Sequence, residues 1–365
     1  MGSCQLCKRQ SGKISPFLGL CYNCIKGRAH EALVLTKEAH ARARKPFGLP
    51  PEPPKTPGGL PCKVCANECV IGEGQVGFCG LRANVGGRLK GVSAQRGRLS
   101  WYHDPLPTNC VADWVCPGGT GAGYPRYALR DGPEYGCANL AVFFHACSMD
   151  CLYCQNWHFR RLSLGGEEHS AEELAASLRD NTTCICYFGG DPSPQMPFAL
   201  RASRLALACS PRRPLRICFE TNGTVHPGLL QQAVRLALDT GGIVKFDLKA
   251  WDRTLHRALT GVDNQRVLEN FRLAAGHISQ RPEVPLVVAS TLMVPGYVEA
   301  QEVEAIASFI ASVEPEIPYA LLAFSPQFMM QELPLLSRRE AQECLQAARR
   351  AGLRNVRLGN VHLLR

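Results

Sequence analysis

No stretch of this 365-residue sequence approaches the roughly 18 consecutive apolar residues of a membrane span, so a membrane protein is not expected. The opening run, MGSCQLCKRQSGK, lacks the apolar segment of a signal peptide, which predicts a cytoplasmic protein. Lysine is nearly missing from most of the chain: beyond Lys90 only Lys245 and Lys249 occur in 275 residues, although arginine is plentiful. There is no polybasic tail. The net charge of +10 permits an anionic partner without demanding one. A hydrophobic fraction of 45% with 20% charged residues excludes wholesale disorder, and the length suits one large domain or two smaller ones.

Cysteine is what the chain has in excess. There are 19, and 14 of them precede residue 155. Disulfide frameworks belong to small exported domains. Close pairs and triplets in a chain without an export signal read instead as metal binding in a reducing compartment.

Residues 1–44 carry two CxxC pairs and then a helical stretch, HEALVLTKEAHARAR. Residues 45–60 are rich in proline and glycine and read as a linker or extended wrap. Residues 61–137 form a cysteine- and glycine-rich segment with little helical pattern. From 138 to 365 strands and helices alternate. The predicted strands are 139–144, 184–188, 215–220, 242–248, 285–294 and 319–324, with a short closing strand at NVRLG. Helices are predicted over 171–179, 196–209, 227–238, 265–278, 299–313 and 338–351, the first opened by the Ser170 to Glu173 spacing of a capping box. Six βα units imply a parallel sheet; eight would make a full TIM barrel, so six predict an α/β fold with a partial (βα)6 TIM-like barrel. A doubly wound sheet is the alternative.

The sharpest motif is Cys147-x3-Cys151-x2-Cys154, just past the end of the first of these strands, where parallel α/β proteins bind ligands. Three thiolates on one loop can hold three irons of a [4Fe–4S] cluster, leaving the fourth iron open to a substrate. A zinc site borrowing a distant fourth ligand, or buried thiols, is the plainer reading.

A CxxxCxxC at this place in a six-unit βα pattern resembles the radical S-adenosylmethionine (SAM) superfamily. The chain further resembles the pyruvate formate-lyase-activating-enzyme-like proteins through Gly189-Gly-Asp-Pro192, Glu220-Thr-Asn-Gly223, Asp247-Leu-Lys249 and Val294-Pro-Gly296. The tail AGLRNVRLGN and the upstream run from Cys62 to Arg82 resemble a subgroup found beside proteins of the Memo type, the AmmeMemoRadiSam system. The likeness covers about residues 61–365. Asp191 replaces the glutamate of the GGEP loop, which departs from the family.

The resemblance implies a radical SAM enzyme. Its cluster, on Cys147, Cys151 and Cys154, would reductively cleave SAM to methionine and a 5′-deoxyadenosyl radical. The radical abstracts hydrogen from a protein, peptide or small-molecule substrate. Gly189, Gly190 and Asp191 would take the amino end of SAM; Glu220, Asn222, Asp247 and Lys249 would take its ribose and carboxylate. Tyr153 and Trp157 could stack on adenine or shield the cluster, or simply pack. An electron donor such as flavodoxin or ferredoxin is implied.

The residues supply an independent argument for the same pocket. On one predicted strand Lys245, Asp247 and Lys249 face one way and Val244, Phe246 and Leu248 the other. Strands of parallel sheets are normally apolar on both faces, so a charged row must point into a polar cavity or be paired internally. An exposed edge strand is the plain alternative. The third strand repeats this with Arg216, Cys218, Glu220 and Asn222, where Asn222 could equally be a turn asparagine before Gly223.

Cys4-x2-Cys7-x13-Cys21-x2-Cys24 has the form of a zinc ribbon; rubredoxin-type iron is the alternative. Cys62, Cys65, Cys69 and Cys79 suit zinc or an auxiliary iron–sulfur cluster, so one or two structural zinc sites are expected. Cys110, Cys116 and Cys137 could complete a further site or sit as buried thiols, and Cys184, Cys186, Cys209, Cys218 and Cys344 read as core. His145 reads as a locally hydrogen-bonded histidine. The rival function is a zinc-ribbon nucleic-acid-binding or RNA-modifying protein with an iron–sulfur cluster; nucleic acid is not the favoured partner.

Overall fold

The structure, a computed structural model, describes residues 1–108, 110–210 and 214–365. Its centre is a nine-stranded sheet. The strands are β1 (Arg96–Pro105), β2 (Ala138–Phe144), β3 (Glu168–Ser170), β4 (Thr182–Gly189), β5 (Arg216–Thr221), β6 (Val244–Asp247), β7 (Val287–Met293), β8 (Tyr319–Ala323) and β9 (Val356–Gly359). Across the sheet they run β9, β8, β7, β6, β5, β4, β2, β1, β3.

From β2 through β9 the pairings are all parallel, and apart from β3 spatial order follows chain order. This decides between the two predicted architectures. A doubly wound sheet reverses its strand order at a switch point. Here nothing reverses, and right-handed crossovers then place every helix on one face. The sheet is a partial barrel, with its helices outside and a lumen within. All six predicted βα strands form, and NVRLG closes the series as β9.

The helices are α1 (Tyr22–Gly27), α2 (Ala29–Arg44), α3 (Ala171–Ala176), α4 (Met196–Cys209), α5 (Pro227–Thr240), α6 (Arg253–Thr260), α7 (Gln265–Ala275), α8 (Ala300–Val313) and α9 (Arg338–Arg350). The Ser170 hydroxyl accepts from Glu173 N at 3.0 Å and the Glu173 carboxylate accepts from Ser170 N at 2.5 Å, the reciprocal cap that the spacing predicts.

Strands β1 and β3 and helices α1 and α6 are absent from the sequence reading. Strand β1 runs antiparallel to β2, with β3 on its far side. Its RGRLSWYHDP sequence buries only Gly97 and Leu99, so its apolar alternation is weak. Helix α6 has a short, polar sequence, RTLHRALT, fixed by its ends: the Asp252 carboxylate accepts from Leu255 N at 2.8 Å, and Gly261 closes it at φ 73°.

The outer face of the sheet is aromatic. Tyr187 on β4 stacks between Phe144 at 5.9 Å and Phe219 at 5.3 Å, ring centre to ring centre. Phe246 meets Phe271 of α7 edge-on. The lumen face is polar, because alternate residues of the same strands point inward. Among the cysteines read as core, Cys184, Cys186 and Cys344 are buried, but Cys209 is exposed at the end of α4 and Cys218 is partly exposed. No helix of the described residues is long and apolar enough to cross a membrane.

The cysteine-rich N-terminal residues lie against the barrel's outer helices. Tyr297 Oη donates to Leu20 O and accepts from Ser15 N, both at 2.9 Å. Lys13 pairs with Glu299 at 2.6 Å and Glu340 at 2.5 Å. Glu302, buried on α8, accepts from Trp251 N, Asp252 N, Tyr22 Oη and Lys26 Nζ.

Candidate functional site

The triad loop leaves the end of β2 and is held at both ends of its turn. Asp150 N donates to Thr260 O at 2.7 Å and Leu152 N to Leu259 O at 3.0 Å, so the C-terminal end of α6 fixes the loop backbone. Asp150 itself is fully buried. Its carboxylate meets His40 Nδ1 at 2.8 Å, Arg160 Nη2 at 3.0 Å and Arg44 Nη1 at 3.5 Å. Burial opposes its charge, but His40, Arg160 and Arg44 hold its carboxyl well below the usual range. None of the four residues of this knot was singled out from the sequence.

Cys147, Cys151 and Cys154 face a cavity of about 290 Å3 at the C-terminal end of the strands. Burial pushes the Cys147 thiol up and the Cys151 thiol to about 12, the latter against the pull of Lys249 and Arg160. Thiols so costly to ionise alone favour thiolate only beside added positive charge, which bound metal supplies. The same cavity is lined by Tyr153, Gly189, Gly190, Asp191, Glu220, Asn222, Asp247 and Lys249. The residues expected at the cofactor, Trp157 apart, therefore surround one space, with Lys245 and Ser290 added.

The charged row of β6 is internal. The strand lies between β5 and β7, not at an edge. Lys245 is 4% exposed and bridges Glu220 at 2.9 Å and Asp247 at 3.1 Å; Asp247 continues to Lys249 at 3.3 Å and accepts from the Ser290 hydroxyl. Burial works against the charge of Asp247, yet Lys245 and Lys249 outweigh it and lower its carboxyl. Lys249 has Asp247 as its one carboxylate partner among the described residues, so further N–H donors remain for the cavity.

Asp191 and Asn222 are occupied by the protein. The Asp191 carboxylate accepts from Ser193 N and Asn222 N, each at 2.6 Å, tying the loop after β4 to the loop after β5. Burial lifts this carboxyl to about 6, despite those two bonds. The Asn222 amide donates to Ser148 Oγ at 2.9 Å and lies 3.5 Å from the Cys147 sulfur, while its oxygen accepts from Thr224 N. Gly189 has φ 105°, and a Cβ there would sit 2.6 Å from Phe144 N. A Cβ on Gly190 would sit 2.2 Å from Ala146 O. These glycines let their loop lie directly on the triad loop.

Tyr153 is buried, and its hydroxyl has no hydrogen-bond partner among the described residues. Trp157 stacks on Phe328 at 5.6 Å and is not part of the cavity wall. His145 Nε2 lies 3.1 Å from Ser100 Oγ, the local hydrogen bond expected of it.

The sulfurs of Cys4, Cys7, Cys21 and Cys24 lie within 4.8 Å of one another, a set that can hold a metal ion. Cys110 donates to Glu220 at 3.1 Å, and the Cys116 sulfur caps a short helical turn by accepting from Gly119 N. With Cys184, Cys186 and Cys218 they line a small cavity of about 40 Å3 that shares Glu220 and Lys245 with the larger one. Cys137 is partly exposed elsewhere.

Residues 141–310 match the family described as the Radical SAM superfamily. The matched stretch runs from β2 into α8 and includes Cys147, Cys151 and Cys154, so this part of the chain is similar to that superfamily. The chain is also similar to activating enzymes. It is 35% identical over 137 residues to the isethionate sulfite-lyase activating enzyme of Desulfovibrio desulfuricans, covering 37% of this chain and 40% of that one. It is 29% identical over 149 residues to the pyruvate formate-lyase 1-activating enzyme of Escherichia coli, covering 38% and 55%. An uncharacterized protein of Methanocaldococcus jannaschii is 24% identical over 310 residues, 82% of this chain and 81% of that one. The chain therefore spans about two fifths to just over half of the activating enzymes it matches.

Proposed function

We propose that this chain is a cytoplasmic radical SAM enzyme of the activating type, acting on a glycine of a partner protein and fed by a flavodoxin- or ferredoxin-like donor. One observation carries the reading: the three triad thiols and all eight residues expected around SAM line a single cavity at the ligand end of the barrel. The donor set fits the cofactors. Three thiols line one cavity, and Tyr153 and Lys249 bring polar groups to the same space. When bound, the cluster supplies the electron that splits the SAM sulfonium into methionine and a 5′-deoxyadenosyl radical.

The chain's own groups divide the remaining work. Cys147, Cys151 and Cys154 hold three irons. Lys249 takes the carboxylate of the methionyl end, and the backbone of Gly189 and Gly190 takes its amino group. Glu220, Asp247 and Ser290 face the ribose. Asp191 and Asn222 act as positioning residues, since both are spent on loop-to-loop hydrogen bonds. Depth in the barrel excludes water from the reacting centre. The Cys4 set holds a structural zinc.

The nucleic-acid reading loses part of its support at the knuckles. Lys13 and Lys26 pair with Glu299, Glu340 and Glu302, and Arg28 pairs with Glu31, so part of the basic charge there is spent within the chain, while Lys8 and Arg9 stay exposed. The test is anaerobic reconstitution followed by dithionite and SAM. Formation of 5′-deoxyadenosine that vanishes in Cys151→Ala supports the enzyme; its absence from the reconstituted wild type sinks it.

A further inference from the structure

The second four-cysteine set stands directly behind the triad. Cys62, Cys65, Cys69 and Cys79 come from a hairpin and the two turns beside it, with Cys62 N donating to Cys69 O at 2.7 Å. Glu68 N donates to Cys65 O at 3.1 Å, Gly80 N to Gly77 O at 2.9 Å across Cys79, and a Cβ on Gly77 would lie 4.0 Å from the Cys69 sulfur, so the turns carrying the four cysteines pack together.

Their spacing is not that of a single ion. With Zn–S bonds of about 2.3 Å, a tetrahedron puts its sulfurs about 3.8 Å apart. The Cys4 set satisfies this, with Cys7 and Cys21 sulfurs 3.8 Å apart. No three sulfurs of the Cys62 set come within 4.8 Å of one another, and the triad shares that wider spacing. Sulfurs stand further apart when each binds a different iron of a cluster.

The set touches the triad loop on both flanks of Cys147. Cys79 packs against the small buried cluster of Leu81, Val92 and Ala146. The Asn67 amide, between Cys65 and Cys69, donates to Ser148 O at 2.7 Å. A third route runs through Arg44. Its guanidinium lies 3.6 Å over the Phe78 ring, donates to Phe78 O, and pairs with Asp150. Phe78 adjoins Cys79 and Asp150 adjoins Cys151. In the Cys62 set Cys62 and Cys79 are partly exposed and Cys65 and Cys69 buried; in the triad Cys147 and Cys154 are partly exposed and Cys151 buried.

We propose that Cys62, Cys65, Cys69 and Cys79 hold an auxiliary [4Fe–4S] cluster that relays electrons from a surface-docked donor to the triad. A low-potential one-electron donor, a reduced flavodoxin or ferredoxin, gives one electron to the auxiliary cluster. That electron then passes to the triad cluster. The auxiliary cluster returns to its oxidised state, and no bond or proton moves. The inference rests, for its acceptor, on the reading of Cys147, Cys151 and Cys154 as cluster ligands.

The test uses the full chain, reconstituted anaerobically, with iron, sulfide and zinc measured. Wild type should hold about eight irons and one zinc, and the triple variant Cys147→Ala/Cys151→Ala/Cys154→Ala about four irons with a cubane spectrum. A triple variant with no iron and a second zinc overturns the proposal, and this result does not depend on altering the Cys62 set. The relay is tested in Cys62→Ala/Cys69→Ala by rapid-freeze spectroscopy of the triad cluster. Its reduction by reduced flavodoxin should slow at least tenfold; an unchanged rate overturns the relay. Iron retained by the triple variant, with no 5′-deoxyadenosine from wild type, would sink the reading of the triad and leave the auxiliary cluster standing.

Discussion

Asp150 sits between two triad cysteines and is wrapped by His40, Arg44 and Arg160 with almost no exposure on any of the four. Removing one member of such a knot leaves uncompensated buried charge, which costs more than the pairing is worth. Asp150→Asn should therefore destabilise the chain by about 3–5 kcal/mol in denaturant titrations and should also lower iron content, because the loop it anchors carries the triad. A variant of wild-type stability would show the knot to be ornamental. The triad and the β6 row were legible in the sequence, because spacing and alternation are local. The knot was not. His40 lies 110 positions from Asp150, and pairing at that range leaves no periodic trace. Asp191 and Asn222 show the same limit: motif position brought them to the cavity, but only the loop-to-loop bonds show how they are spent.

Longer elements that bury an apolar face were readable; β1, with its weak alternation, and the eight-residue α6, which buries Leu255, Ala258 and Leu259, were not. Strands β2 and β4 to β8 are runs of β-branched and aromatic residues, and the capped α3 carries its start signal in four residues. Strand β1 exists because β2 has an unpaired edge, and α6 because Asp252 and Gly261 close it. The knuckles are a third kind: α1 has six residues and buries only Cys24 and Ile25. Metal should supply the ordering that so small a core cannot. Chelation, or Cys4→Ser/Cys24→Ser, is expected to release one zinc and open Lys13 and Lys26 to trypsin, read by limited proteolysis with mass analysis. Unchanged cleavage after zinc loss would place the stability of this segment in its contacts with Tyr297, Glu299 and Glu302 instead.

At the scale of the molecule, the segment between β1 and β2 closes the floor of the barrel. Arg216 on β5 is 1% exposed and meets Glu134 of that segment through two bonds, at 2.7 and 2.8 Å. Burial raises the Glu134 carboxyl, but Arg216, Leu129 N and Thr183 outweigh it and leave it below its ordinary value. A lowered carboxyl contributes stability that is present above about pH 4.3, its ordinary value, and is lost as pH falls through the folded value. Glu134→Gln should cost about 3 kcal/mol at pH 7, and the gap from wild type should narrow between pH 5 and 3 in urea unfolding. A gap that stayed constant with pH would sink this assignment.

The hold of α2 on Asp150 has a practical meaning for anyone dissecting the chain. A version cut down to the stretch that matches the superfamily would forfeit His40 and Arg44, two of the three side chains that hold that carboxylate. It would emerge with its cysteine-triad loop adrift, and a dead product would be mistaken for a lesson about chemistry. The appended front end is better regarded as a keystone than as an accessory: the arch behind it stands only while it is in place.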